Sequence, residues 1–261
     1  MFPICWMILA IGMTKNKKIK VVAASVCGPM HRYKKLPCQD CFKHKNGKKN
    51  FVAVVSDGAG SAKYGKIGAN IICNTMVDLL ANCEFADIKQ HIIKAVEVAR
   101  AKVLRHRFNK TKDSEGMMEF SATLVGAVYH QGKGIFFHIG DGAGTALHSN
   151  QYDRFIATRP ENGNFSCETF FYTMDDWRHS LRFTSFDEAD TLFLMSDGLT
   201  NFAFTPDFQK IEKGFLLPIN DFLTQDITKQ KAERALSNTL NTPIAKRLNS
   251  DDKTLLWARL S

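Results

Sequence analysis

The chain has 261 residues, 44% of them hydrophobic and 23% charged, which suits a folded chain with a sizeable core and excludes disordered, collagen-like and membrane-channel sequences. Its net charge of +9 is local: residues 1–50 hold eleven Lys/Arg against one acid, Asp40, for a net +10, and the remaining 211 residues sum to −1. A basic start of this kind faces solvent or attracts nucleic acid, an acidic membrane surface or a phosphorylated partner. The seven cysteines are odd in number and irregularly spaced, which speaks against a disulfide framework and for a reducing compartment.

Met1–Met13 is apolar throughout, too short for a membrane-spanning helix of about 20 residues, and its lysines follow the apolar run instead of preceding it as in a signal peptide. Met13 opens a segment that reads as a natural cytoplasmic start. Residues 1–14 are therefore expected to be an extension or an over-called start, with a membrane-surface anchor as the rival reading, and residues 15–261 a single domain. Lys20–Val26 and Phe51–Val55 read as strands. Apolar residues at helical spacing predict helices over Lys66–Cys83 and about Ala86–Phe108. Ser121–Tyr129, Gly134–Ile139 and Gly144–Ser149 read as strands, the first two joined by the hairpin signal Gln131-Gly132-Lys133. Residues 158–187 lack periodicity and read as an irregular insert. Thr191–Met195 is a buried strand, 206–247 mostly helical, and Thr254–Leu260 a last strand. Strands and helices come in groups, which predicts an α+β fold of antiparallel sheets covered by helices.

Acidic residues recur at the ends of these strands. Asp40 follows Cys38-Gln39, Asp57 opens Asp57-Gly58-Ala59-Gly60 after FVAVV, and Asp141 follows Ile139-Gly140. Asp197 begins Asp197-Gly198 after TLFLM, and Asp251 and Asp252 precede the last strand. One Asp-Gly after a strand is usually a turn. Five such sites abutting buried strands imply carboxylates gathered at the open end of a core, where divalent cations are the usual compensation. An all-oxygen ligand set without His/Cys metal spacing points to Mg²⁺ or Mn²⁺ rather than zinc.

In order and spacing, the set Gln39-Asp40, Asp57-Gly58-Ala59-Gly60, Ser121-Ala122-Thr123, Gly140-Asp141, Ser196-Asp197-Gly198 and Asp251-Asp252-Lys253-Thr254 resembles the type 2C metal-dependent protein phosphatases, the PPM family. Gly28-Pro29-Met30-His31 and Pro37-Cys38-Gln39-Asp40 resemble its compact bacterial branch. The resemblance spans about Val21 to Leu260. It implies a four-layer α/β/β/α sandwich and hydrolysis of phosphoserine and phosphothreonine in proteins, the targets of a Ser/Thr kinase, by a cytoplasmic monomer. It further implies that Asp57 bridges two metal ions with the Gly58 carbonyl contacting one of them. Asp197 and Asp251 would complete one site, Asp40 would serve the other, and Asp141 would hold a third ion. Two ions sharing a water lower its pKa and make a protein nucleophile unnecessary.

Departures from the pattern concern substrate contacts. Lys35 stands where many relatives place a phosphate-binding Arg, with Arg32 and His31 nearby to share the task. Ala59 replaces a His that some relatives carry, which leaves His31 as the candidate general acid. Gly142 stands in place of a Ser. Cys38-Gln39-Asp40-Cys41 is a C-x-x-C that could be a redox pair or half a zinc site, although burial beside the acidic site explains it as well. The rival functions are a nucleic-acid module using the lysine-rich start, for which aromatic interleaving is lacking, and a phosphate-sensing pseudophosphatase, for which the ligand set would have to be broken.

Overall fold

The structure, a computed structural model, describes residues 19–111, 116–148, 152–160 and 169–260. The apolar run Met1–Met13 and the extension over 1–14 lie outside the described residues.

Two five-stranded antiparallel sheets face each other. One holds β1 (Lys20–Val26), β6 (Ala143–Leu147), β7 (Phe155–Ala157), β9 (Thr191–Met195) and β10 (Lys253–Arg259), in the order β1-β10-β9-β6-β7. The other holds β2 (Cys41–Asn46), β3 (Phe51–Ser56), β4 (Leu124–His130), β5 (Lys133–Ile139) and β8 (Arg182–Asp187), in chain order. Among the helices, α1 (Pro29–Tyr33) is a single turn. The long helices α2 (Gly65–Leu80) and α3 (Ile88–Thr111) cover the second sheet. After the short α4 (Trp177–Ser180) and α5 (Thr200–Ala203) come α6 (Lys213–Thr224), α7 (Lys229–Leu240) and α8 (Pro243–Leu248); α6 and α7 cover the first sheet. The layers are thus α/β/β/α, as the family resemblance implies.

The central strands read as unbroken apolar runs because both their faces are covered. Along β3, Val52 and Val54 pack under α2 and α3, while Phe51, Ala53 and Val55 meet the opposing sheet. Along β10, Leu255 and Trp257 face α6 and α7, while Leu256 and Ala258 face inward.

Two expectations need correction. The strand expected from Ser121 begins at Leu124, because Ser121–Thr123 spends its backbone groups on the loop after β3. The stretch expected to be irregular contains α4 and the edge strand β8. The expectation of a mostly helical 206–247 holds: α6, α7 and α8 fill most of it, after a turn over 206–212 closed by a Phe204–Ile211 bridge. Strand β2, with sequence CFKHKN, carries no apolar run: it is an edge, where lysines are the common guard against further pairing.

Candidate metal centre

Strand register brings the acidic residues together. In β2/β3, Cys41 pairs with Ser56, so Asp40, one residue before, lies beside Asp57, one residue after. In β9/β10, Met195 pairs with Leu255, which puts Asp197 at the level of Lys253 and next to the Asp251 loop. In β6/β9, Ala143 pairs with Met195, so Asp141 and Asp197 extend past the same sheet end. Antiparallel pairing therefore delivers five aspartates from both sheets to one end of the sandwich. There, Asp57, Asp141, Asp197 and Asp251 line a cleft of about 490 Å³ walled by Thr169, Phe170, Phe171 and Met174.

The loop carrying Asp57 is tied to the segment before β4. Thr123 Oγ1 accepts from the Asp57 amide at 3.0 Å, and the Thr123 amide donates to Asp57 O at 2.8 Å. The Ala59 amide donates to Ser121 O at 2.9 Å. Ser121 and Thr123 thus act as structural support for the Asp57 loop. Gly58 is required by close approach: a Cβ there would lie 2.4 Å from the Gly65 carbonyl carbon at the start of α2. With its amide nitrogen turned toward the loop, Gln39 donates to Gly58 O at 2.7 Å and Ala59 O at 2.9 Å, which fixes the carbonyl expected to face a metal.

Asp40 is buried, and its Oδ2 accepts from Ser196 Oγ at 2.8 Å and Thr254 Oγ1 at 2.6 Å. Asp141 Oδ2 accepts from Thr169 Oγ1 at 2.6 Å. The remaining oxygens Asp40 Oδ1, Asp141 Oδ1 and Asp197 Oδ1 are buried and unpartnered. Three orphaned carboxylate oxygens in one place are costly unless a cation meets them. Their hard, all-oxygen character fits Mg²⁺ or Mn²⁺. Asp40, Asp57, Asp197 and Asp251, with Asp141 beside them, are the residues that would hold such ions.

The electrostatics agree. Burial pushes Asp40 up to about 6. Burial, followed by the charges of Asp141, Asp251 and Asp40, pushes Asp197 up to about 8. Asp57 is raised well above the ordinary range by burial and then by Asp40, Asp197 and Asp251. A carboxyl raised on folding stabilises the fold fully at pH below about 4, its unfolded value, and that stability is lost as pH climbs through the folded pKa. The metal-free protein should therefore lose thermal stability between about pH 5 and pH 8.5, by several degrees at roughly 2–4 °C per kcal/mol. Saturating Mn²⁺ should remove most of this slope. Thermal melts across that range with EDTA and with Mn²⁺ check it; parallel curves would contradict the reading.

His31, Asp251 and Asp252 also bring ligand-type atoms within 4.8 Å of one another. Asp252, however, has its oxygens engaged: Oδ1 accepts from the Gly28 amide at 2.7 Å, Oδ2 accepts from the Gln39 amide at 2.6 Å, and Oδ2 also lies 2.8 Å from His31 Nδ1. Burial would raise Asp252, but these amides and His31 outweigh it and hold the carboxyl below its ordinary range. We read Asp252 as scaffolding that fixes the imidazole and not as a metal ligand, while Asp251 stays with the aspartates that line the cleft. His31 lies on α1, and its Nε2 looks toward Gly60 on the rim of the cleft: a Cβ at Gly60 would be 3.6 Å away.

The two expected phosphate contacts fare differently from the aspartates. Arg32 donates from Nε to Cys27 O at 3.1 Å and from Nη2 to Asn241 Oδ1 at 3.3 Å, so its guanidinium is committed to the end of α7. Lys35 is exposed at a left-handed φ of 56° in the turn after α1, and it does not line the cleft. The C-x-x-C residues part company as well: Cys38 Sγ meets Ser25 Oγ at 3.2 Å, while Cys41 Sγ faces Asn70 Oδ1 at 3.4 Å. Burial, then Asp40, pushes the Cys38 thiol up to about 12, which leaves it a poor nucleophile or ligand.

The sequence matches the family described as Protein phosphatase 2C over residues 27–241. A search of curated proteins finds no match. Among solved structures, the serine/threonine phosphatase Stp1 from Staphylococcus aureus is similar at 15% identity and a TM-score of 0.65, over 93% of this chain and 95% of that one. PppA, a key regulatory component of T6SS in Pseudomonas aeruginosa, is similar at 16% identity and a TM-score of 0.63, over 92% of this chain and 97% of that one. The catalytic domain of the serine/threonine protein phosphatase PstP, in complex with two manganese ions, is similar at 16% identity and a TM-score of 0.60, over 92% and 97%. At these identities the likeness is one of fold.

Proposed function

This chain belongs to the Protein phosphatase 2C family, and on that premise we propose that it is a metal-dependent hydrolase of phosphoserine and phosphothreonine in proteins. The observation that carries the reading is the convergence of five aspartates at one end of the sandwich, four of them lining one cleft, with three buried carboxylate oxygens left for cations. When bound, divalent ions supply Lewis acidity, activating water and neutralising charge on the transferred phosphoryl group. The chain's own part is preorganisation. Thr123 and Ser121 hold the Asp57 loop, Ser196 and Thr254 orient Asp40, and Thr169 orients Asp141, so the ligands need little rearrangement during the reaction. His31, fixed through Nδ1, offers Nε2 at the rim, where a leaving serine oxygen would take up a proton.

The same geometry weighs against a phosphate sensor that works without metal. Among the described residues, those lining the cleft include four aspartates and no Lys or Arg. A dianionic phosphate entering such a cleft meets like charge unless cations are already there. A phosphoserine peptide should therefore bind only in the presence of Mn²⁺ or Mg²⁺, and be hydrolysed. Binding measured by fluorescence anisotropy, with phosphate release followed in parallel, tests this. Tight binding in EDTA, or Mn²⁺-dependent binding without turnover, would favour the pseudophosphatase.

A further inference from the structure

Lys253 begins β10, two residues after Asp251, and is only 1% exposed. A buried ammonium is expensive and is tolerated only where charge and hydrogen bonds compensate it. Its bonds go to main-chain carbonyls and not to a carboxylate: Nζ donates to Asn249 O at 2.7 Å and to Asp251 O at 2.8 Å. These two acceptors bracket the loop that presents Asp251 to the cleft. The loop has internal ties as well, from the Asp251 amide to Asn249 Oδ1 at 2.8 Å and from the Asp252 amide to Asp251 Oδ1 at 2.7 Å. It is also pressed from outside. A Cβ on Gly198, one residue after Asp197, would fall 1.9 Å from Asp252 O, and the Met30 amide donates to Ser250 O at 3.1 Å.

A lysine here is unexpected on charge grounds alone. A fixed positive charge beside a cation site opposes cation binding. Its retention in the interior, with both bonds spent on the loop, is accounted for if its contribution is to geometry. We propose that Lys253 is a positioning residue: its ammonium clamps the Asn249–Asp251 loop so that the Asp251 carboxylate is set for a divalent cation before one arrives. The inference rests on the metal-dependent reading above.

The two possible effects of Lys253 have opposite signs, and this makes the proposal testable. If the lysine acts only through its charge, Lys253→Met tightens cation binding. If it acts as a clamp, the variant pays for ordering the loop on binding and the affinity falls. Calorimetric titration of the metal-free full chain with Mn²⁺ should give a dissociation constant about 10–100-fold weaker in Lys253→Met than in the wild type, the range seen when groups supporting metal ligands are removed. Unchanged or tighter binding in a folded variant overturns the clamp. A wild-type chain that takes up no Mn²⁺ overturns the metal reading itself, and the inference with it. Should the variant fail to fold, hydrogen exchange on the metal-free wild type decides. The Asp251 and Asp252 amides should exchange slowly if the loop is clamped in advance, and exchange as fast as in an open loop overturns the proposal.

Discussion

Replacing Asp57 or Asp197 by Asn should abolish phosphatase activity, by at least about 10²–10³-fold, while making the metal-free protein harder to melt. The two effects have one origin. Both carboxyls are raised on folding, Asp57 well above the ordinary range and Asp197 to about 8, by burial first and by neighbouring aspartates next. Near pH 8 the metal-free fold must either hold a proton on these groups or tolerate their repulsion. An amide of the same shape needs neither. Relief of even one or two kcal/mol would raise the midpoint by several degrees, at roughly 2–4 °C per kcal/mol for a chain of this size. The gain should be larger at pH 8.5 than at pH 5, because below the folded pKa the wild-type carboxyl is already protonated and neutral. Turnover of a phosphoserine peptide with Mn²⁺ and thermal melts in EDTA at both pH values test the pair of effects. Near-wild-type turnover in either variant would dismiss the shared-metal assignment. An activity loss without any rise in metal-free stability would mean that these carboxyls do not repel one another as their burial implies.

The legible and illegible parts of this protein divide by how local their causes are. FVAVV, TLFLM and TLLWARL announced themselves because strands covered on both faces must be apolar along their length, and the aspartates stood out because each ends or precedes such a run. Their convergence followed from antiparallel pairing once the strands were known. Strand β2 and strand β8 were not legible: both are edges, with lysines or scattered polar residues where a covered strand would be apolar. The segment Ser121–Thr123 looked like strand because its residues suit one, yet its hydrogen bonds go to the Asp57 loop. Side-chain commitments between distant segments were out of reach. The sequence places Arg32 near Asp40, but not its bond to Asn241 at the end of α7. It shows Asp251 and Asp252 as a pair, but not that the second turns to His31, Gly28 and Gln39 instead of the cleft. Lys253 carried no signal at all, since a lysine opening a strand is ordinarily solvated.

His31→Ala should slow hydrolysis of a phosphoserine peptide by about 10²–10⁴-fold, the range for loss of a general acid, and leave an aryl phosphate within about threefold of wild type. The asymmetry comes from the leaving group. A serine alkoxide is a poor leaving group unless its oxygen is protonated as the P–O bond breaks, whereas a nitrophenolate departs unaided. The geometry gives His31 the form of a donor. Asp252, itself held below its ordinary range by two backbone amides and by the imidazole, faces Nδ1 at 2.8 Å and fixes the ring. That leaves Nε2 directed at Gly60 on the rim of the cleft. The competing role is phosphate binding, which a cleft lined, among the described residues, by aspartates and no Lys or Arg also needs. A phosphate contact serves both substrates alike, so its loss would slow the peptide and the aryl ester by similar factors. Asp252→Asn adds a second reading of the same arrangement. It removes the charge that fixes Nδ1 while leaving an oxygen to accept from a backbone amide, and it should reproduce the substrate asymmetry of His31→Ala in weaker form. Equal losses on the two esters in both variants would assign the imidazole to binding and hand the proton to water.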